Sequence, residues 1–297
     1  MDKRKLDKWI LHLIEIENEN SFEIEILKEF DLLTKDIVSL INSFSFITTK
    51  AVLLDLIDEI SLLIENFNNK CNEKLDIYTK DVIERESDWL LEFCKSLGLS
   101  IVIPKLVNSK LKFFSFASDM TYTDFVESTT SDLIKKITSA LKISLLTKLD
   151  NSHNSEVIQS KVNTARKHFE TDLSTFKTGI HRLTDFLILR HNNQKVVYSA
   201  ILDTSVCLVC ANNNGVVFDI DKAPVLPIHR NCRCSLIPFG SDEEPVDMPS
   251  FEDWIKDLPD EEKKKVLGKT RFNLYKQGIS AKSFVKNNLI VKLSDLK

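Results

Sequence analysis

Five sulfur or imidazole donors fall within 28 residues of this chain, and their spacing restricts the fold more than any other feature. Cys207-x2-Cys210 is followed, after eighteen residues, by His229-x2-Cys232-x-Cys234. Two thiolates two residues apart converge on one ion when the chain turns between them, and two such clusters normally build one tetrahedral site. Zinc suits thiolate and imidazole donors, and four filled positions make such a site structural. Cys207, Cys210 and Cys232 are expected ligands, with His229 or Cys234 as the fourth. If Cys232 and Cys234 lie two apart on a strand, both face the ion and His229 supports them from behind. The competing explanation is burial of reduced thiols, because free cysteine is among the most buried residue types. That explanation suffices for Cys71 and Cys94, which stand singly in helical patterns. A cysteine nucleophile needs a base, an orienting group and an oxyanion hole. No residues of this chain can be assigned those roles from sequence, and His153, His168 and His181 read as packed or surface residues.

The rest of the chain is written for helices. Only 6 glycines and 7 prolines occur in 297 residues, 28% of which are charged. Apolar residues recur at spacings of three and four in Leu6, Trp9, Ile10, Leu13 and Ile14, and again in Ile37, Leu40, Ile41 and Phe44. The period returns in Leu53, Leu54, Ile57, Ile60 and Leu63, in Trp89, Leu90 and Phe93, in Leu133, Ile134, Ile137 and Leu141, and from about Val157 to Leu189. Five to seven helices are expected over residues 3–190, packed as a bundle with their aromatic and methionine positions in the core. Net charge runs from −9 over residues 1–100 to +5 over 101–200 and zero over 201–297. The acidic first third will not seek nucleic acid by charge, whereas the middle third offers a surface for phosphates. The charged start, Met1 to Lys5, leads into a run broken by Asp7, Lys8, Glu15 and Glu17, so no secretory leader is expected. No apolar run is long enough to span a bilayer. These features fit a cytosolic origin with reduced thiols.

After residue 191 the pattern changes. Residues 196–202 are β-branched and aromatic and read as a strand, Asn212 to Gly215 as a hairpin turn, and Val216 to Phe218 as the returning strand. Cys234 to Ile237 makes a third. Residues 240–249 read as an acidic linker. Ser250 caps a helix beginning at Phe251, with Asp253 placed to complete a capping box. The expected fold class is therefore α+β, mainly α. The expected segments are an N-terminal helical region (1–155), a long helix with a zinc-stapled antiparallel sheet (156–240), and a linker with a helical tail (241–297).

The cysteine segment closely resembles the core motif of the phage Mu F-like minor head proteins. The resemblance is carried by Tyr198-Ser199-Ala200-Ile201-Leu202-Asp203 before the C-x2-C pair, by Asn214-Gly215-Val216-Val217-Phe218, and by Leu226-Pro227-Ile228-His229-Arg230-Asn231-Cys232-Arg233-Cys234. A second stretch, from Phe251 to Trp254 through Val266 to Arg271 and on to Gln277 to Ser280, is similar to the tail of the same family. Together they cover about residues 190–297. One departure is Asn214 where the family usually has Asp, which places any role of that carboxylate in doubt. Asp203 is kept, and reads as a cap on backbone amides or a support for a ligand. Membership would imply a structural, non-catalytic head morphogenesis protein. It would be made in the host bacterial cytoplasm and end in the virion at the head interior or portal vertex. Its partners would be portal and major capsid protein, with packaged DNA as a further contact and no membrane. The alternatives are a zinc-braced His-Asn-His nuclease and a DNA-binding zinc module. The first lacks a second histidine beside His229 and Asn231, and the second wants a basic face that neutral 201–297 does not offer.

Overall fold

Helix starts and stops follow from local chemistry. The computed structural model describes residues 3–43, 49–105, 113–115, 119–147, 151–240, 244 and 246–296. Among the described residues, five helices precede residue 192: α1 (Lys3–Asn18), α2 (Ser21–Ser43), α3 (Lys50–Ser96), α4 (Tyr122–Thr147) and α5 (Asn151–His191). Thr49 opens α3 by accepting the Val52 amide, and the helix then runs 47 residues, about 70 Å at 1.5 Å per residue. It closes on Gly98 at φ 73°, where Leu99 N–H reaches the Cys94 carbonyl and Gly98 N–H that of Lys95. That is the Schellman pattern, which a glycine adopts without strain. Asn193 at φ 48° ends α5 in the same way. The adjacent Asn192 side chain then clamps Val102, accepting its amide and donating to its carbonyl, both at 2.8 Å. A small ribbon, β1 (Phe113–Ser115) with β2 (Asp119–Thr121), lies between α3 and α4.

Helices α2, α3, α4 and α5 form a bundle. Its core is one continuous apolar cluster in which the rings of Phe30, Phe67 and Phe169 lie 5.4–5.9 Å apart. Residues 195–296 form a second, mixed region. Strands β3 (Lys195–Ser199), β4 (Val217–Asp219) and β5 (Ser235–Pro238) make an antiparallel sheet in the order β4-β3-β5. A short helix, α6 (Leu208–Asn213), fills the connection from β3 to β4. Two further helices follow: α7 (Phe251–Asp257), and α8 (Asp260–Lys276), which breaks at Gly268 with φ 72°. A minimal ribbon, β6 (Val285–Lys286) with β7 (Leu289–Ile290), comes near the end. The expected mainly helical α+β class, with its small antiparallel sheet, is the observed one.

The hydrophobic cores do not divide at residues 155 and 240. The second core gathers the sheet, α7, α8 and residues 281–285 together with Trp9 and Leu13 of α1, Leu90, Phe93 and Cys94 of α3, and Phe186 to Leu189 of α5. The two longest helices therefore cross from one core into the other. Three sequence expectations change. On α1 the buried stripe is Trp9, Leu13 and Ile16, while Ile10 and Ile14 are exposed because the helix packs on one side only. The segment 212–215 does not close a hairpin: Asn213 ends α6, and a turn closed by Val216 N–H on the Asn213 carbonyl leads into β4. Of the supposed linker, residues 241–243 and 245 lie outside the described residues, as does Phe44. Its end is packed, with Met248 against Gly215 and the Pro249 carbonyl accepting Asn214 Nδ2 at 3.0 Å.

Candidate metal centre

The ligand-bearing segments leave the same end of the sheet. Cys207 occupies the N-cap of α6, with extended φ/ψ, and its Sγ accepts the Cys210 amide at 3.3 Å. One helical turn then carries Cys210 to the same side as Cys207. The other donors come from the loop between β4 and β5. A turn closed by Cys232 N–H on the His229 carbonyl, with Asn231 at φ 56°, holds His229 and Cys232 on one side. Cys234 directly precedes β5, so Cys232 and Cys234 lie in loop, not strand, yet both reach the cluster.

All five predicted residues are brought together. They form two triads that share Cys210: Cys207, Cys210 and His229, and Cys210, Cys232 and Cys234, with donor atoms inside each triad within 4.8 Å of one another. His229 faces the sulfurs directly. Its Nε2 lies 3.2 Å from Cys210 Sγ, while Nδ1 donates to its neighbour's carbonyl, Arg230 O, at 2.7 Å. A carbonyl only accepts, so the proton sits on Nδ1 and Nε2 is turned toward the sulfurs, the orientation a metal-binding imidazole requires. Cys210, Cys232 and Cys234 are buried, whereas Cys207 and His229 are half-buried at the rim.

The electrostatics fit a cation. Without one, four crowded sulfurs cannot all be charged, and they sort into donors and acceptors. Cys207 is drawn down to about 4, first by the thiol of Cys210 and then, against burial, by His229. Cys232 is drawn down to about 2 by bonds from Cys210 and Cys234. Cys210 is pushed up by its three sulfur neighbours, Cys207 foremost. At Cys234 the bond to Cys210 pulls downward, but Cys232 and burial outweigh it. His229 rises to about 9, chiefly through Cys207. This Cys/His cluster can hold a metal ion. No protein-family model, curated protein or solved structure matches the chain.

A supporting layer surrounds these donors, and most of it was invisible in the sequence. Tyr198 on β3 donates its hydroxyl to Cys210 Sγ at 3.5 Å, and burial keeps the phenol protonated. Asp203 does what a turn cap does, accepting the Ser205 amide at 2.8 Å, and its carboxylate also pairs with Arg233 at 2.7 Å. Asn214 Oδ1 accepts the Ala200 amide at 2.8 Å. Arg182 of α5 donates to the Cys234 carbonyl at 3.1 Å, and Trp9 of α1 donates to Ser235 Oγ at 3.1 Å. Both side chains grip the chain where the last cysteine leads into β5. Nothing local in the sequence links Trp9 to Ser235, 226 positions away.

A second cluster of ionisable groups lies at the seam between the two cores. Glu86 of α3, 1% exposed, accepts His12 Nε2 at 2.8 Å through Oε1 and His181 Nδ1 at 2.5 Å through Oε2. Burial raises its carboxyl, but the two imidazole bonds outweigh burial and hold it below the ordinary carboxylate range. Asp185, one turn along α5 from His181, is pushed well upward by burial and by the charge on Glu86. The His12 ring stacks on Trp89 at 3.5 Å. His181, read as a packed residue, is packed, but as part of this hydrogen-bonded set. With Glu86, His181 and Asp185 no more than 3% exposed, the set braces helices and admits no substrate.

Proposed function

We propose that this chain is a phage minor head protein of the Mu F-like kind, in which one structural zinc ion fastens the sheet that organises the second core. The observation that carries the reading is that motif residues far apart in sequence satisfy one another. Asp203, just before the C-x2-C pair, binds Arg233 of the Cys-Arg-Cys close. Phe251, Ile255, Val266 and Leu267 of the similar tail share an apolar core with Cys210, Cys232 and Cys234. Residues matched in two separate stretches thus belong to one packed unit, which supports reading them as one inherited module.

Zinc fits the donor set because thiolates and a neutral imidazole are its usual structural ligands, and a site with four protein donors has no open position for water. Cys210, common to both triads, is the indispensable ligand, with Cys207 and Cys232 beside it and His229 or Cys234 completing the four. The ion would supply folding energy and not chemistry. The protein then acts by binding portal and capsid subunits during head assembly, through the outer faces of a bundle whose long helices are charged outside and apolar inside. Among the described residues no helix is long and apolar enough to cross a membrane. Co-purification of the full chain with the portal protein encoded beside it tests the reading. A stable complex is expected. If none forms, and the purified protein instead cuts DNA with added divalent metal, the structural role fails.

A further inference from the structure

We infer that a polar trough between α4 and α5 is a binding site for the phosphodiester backbone of nucleic acid. The trough has two parts. The first, a cavity of about 570 Å3 beside the His229 turn, is lined by Lys135 and Lys136 of α4, His168 of α5, Arg230, and the hydroxyls of Ser128 and Ser131. The second, about 840 Å3, shares His168 with it and continues along α5 past Lys167, lined by Gln159, Ser160, Asn163 and Thr164, of which Thr164 donates to the Ser160 carbonyl and Gln159 to Asn163 Oδ1.

Arg230 is the reason to read a phosphate here. Its Nε lies 2.7 Å from Asp172 Oδ1, and that carboxylate is almost wholly enclosed while the guanidinium is 63% exposed. The buried carboxylate holds the guanidinium at this cavity by charge, and the exposed guanidinium keeps donors open to solvent, the chemistry that takes phosphate oxygens. The residue is held from the other side as well, because its carbonyl accepts His229 Nδ1 and the following amide, that of Asn231, donates to Thr175 Oγ1 at 3.1 Å. The two carboxylates of this cavity are already engaged. Asp172 faces Arg230, and exposed Asp132 pairs with Lys136 at 3.2 Å. Lys135 and His168 have no ion-pair partner among the described residues. A small anion would need only the first cavity. The extension along α5, lined by Lys167 and by amide and hydroxyl side chains, with Glu156 at its far end and Val38 of α2 beside it, suits a ligand whose anionic groups repeat and whose bases are not read. The inference stands independently of the head-protein reading, since it uses only the chemistry of this trough.

The test is fluorescence anisotropy of the full chain with a labelled DNA duplex of arbitrary sequence. With two or three phosphates engaged, affinity should fall roughly 10- to 40-fold between about 50 mM and about 200 mM salt. The exposed double substitution Lys135→Ala and Lys136→Ala should weaken binding by about tenfold or more and flatten the salt dependence by about one unit of slope for each phosphate no longer engaged. The same change at Lys264 and Lys265 on α8, exposed and outside the trough, should leave affinity within about twofold, which removes net charge as the explanation. Unchanged circular dichroism certifies the fold of each variant. Absence of DNA binding at the lower salt, or equal losses in both double variants, overturns the inference. Calorimetric binding of inorganic phosphate that depends on Lys135 and Lys136, without DNA binding, also overturns it in favour of a small phosphate ligand.

Discussion

Glu86→Gln is the most informative single substitution, because it keeps the shape of a buried side chain and removes only its charge. Both carboxylate oxygens are engaged, by His12 at 2.8 Å and His181 at 2.5 Å. The amide keeps one acceptor and turns the other into a donor facing a ring nitrogen, so at least one imidazole must change tautomer or lose its partner. A hydrogen bond to a charged group contributes about 1.5–3 kcal/mol against about 0.5–1.5 for a neutral one, so two bonds downgraded cost about 2–4 kcal/mol. At roughly 2–4 °C per kcal/mol for a chain of this size, the melting temperature at pH 7 should drop by roughly 5–15 °C. The sign with pH follows from the depressed carboxyl. A group held below its unfolded value contributes stability above that unfolded value and loses it only as pH falls through the folded one. The gap between the two proteins should therefore persist from about pH 7 to about pH 5 and narrow only in stronger acid. Thermal melts followed by circular dichroism across that range are the assay. A drop of under about 2 °C at pH 7, or a gap that closes before about pH 5, would refute the assignment of the charge to Glu86.

Three further outcomes are expected. Elemental analysis of protein purified without added metal should find about one equivalent of zinc, and Cys210→Ser, which breaks both triads, should abolish it. Chelation should make residues 196–240 protease-sensitive and change the near-ultraviolet signal of Trp9, whose indole binds Ser235, while the far-ultraviolet helical signal of the separate bundle core persists. Loss of most helical signal would mean that the two cores unfold as one. Lys177→Met should cost about 3–5 kcal/mol in denaturant melts, because the buried ammonium serves the Glu17 and Glu19 carbonyls and the Glu23 carboxylate where α1 turns into α2.

The parts of this fold that were legible in the sequence are those governed by near neighbours. Apolar spacing located helical stretches, although 53–63 and 89–93 prove to be one helix, β-branched runs located the three strands of the central sheet, and the cysteine spacing located the donors. Ser250 and Asp253 form the capping pair their separation suggested, with the Asp253 amide donating to Ser250 Oγ at 3.2 Å. What failed to show were pairings whose partners lie far apart, such as Arg182 with Cys234 at 52 positions and His181 with Glu86 at 95. One of these left a trace. Val82, Glu86 and Leu90 stand four apart, so Glu86 interrupts an apolar stripe at a position that faces inward. A carboxylate in that register must have buried partners, and His181 and Asp185, four apart on α5, supply them. Charge in an apolar register carries more information than charge on a solvated face, and it marks where the two cores meet.

That seam changes how the metal should act on the rest of the protein. A three-stranded sheet with strands of 5, 3 and 4 residues buries little by itself. Here its β5 strand is gripped from outside by Trp9 and Arg182, and the same apolar core continues into α1, α7 and α8. Arg182 lies one turn from Asp185, which borders Glu86 and through it His12 of α1. Fixing Cys234 by a metal ion therefore fixes a carbonyl that orients Arg182, and Ser235 beside it receives α1. A metal ion held at Cys234 and α1 docked at Ser235 would act on neighbouring residues, so each should bind or dock more firmly when the other is in place. The bundle, whose core contains none of these residues, is the part that can stand without either.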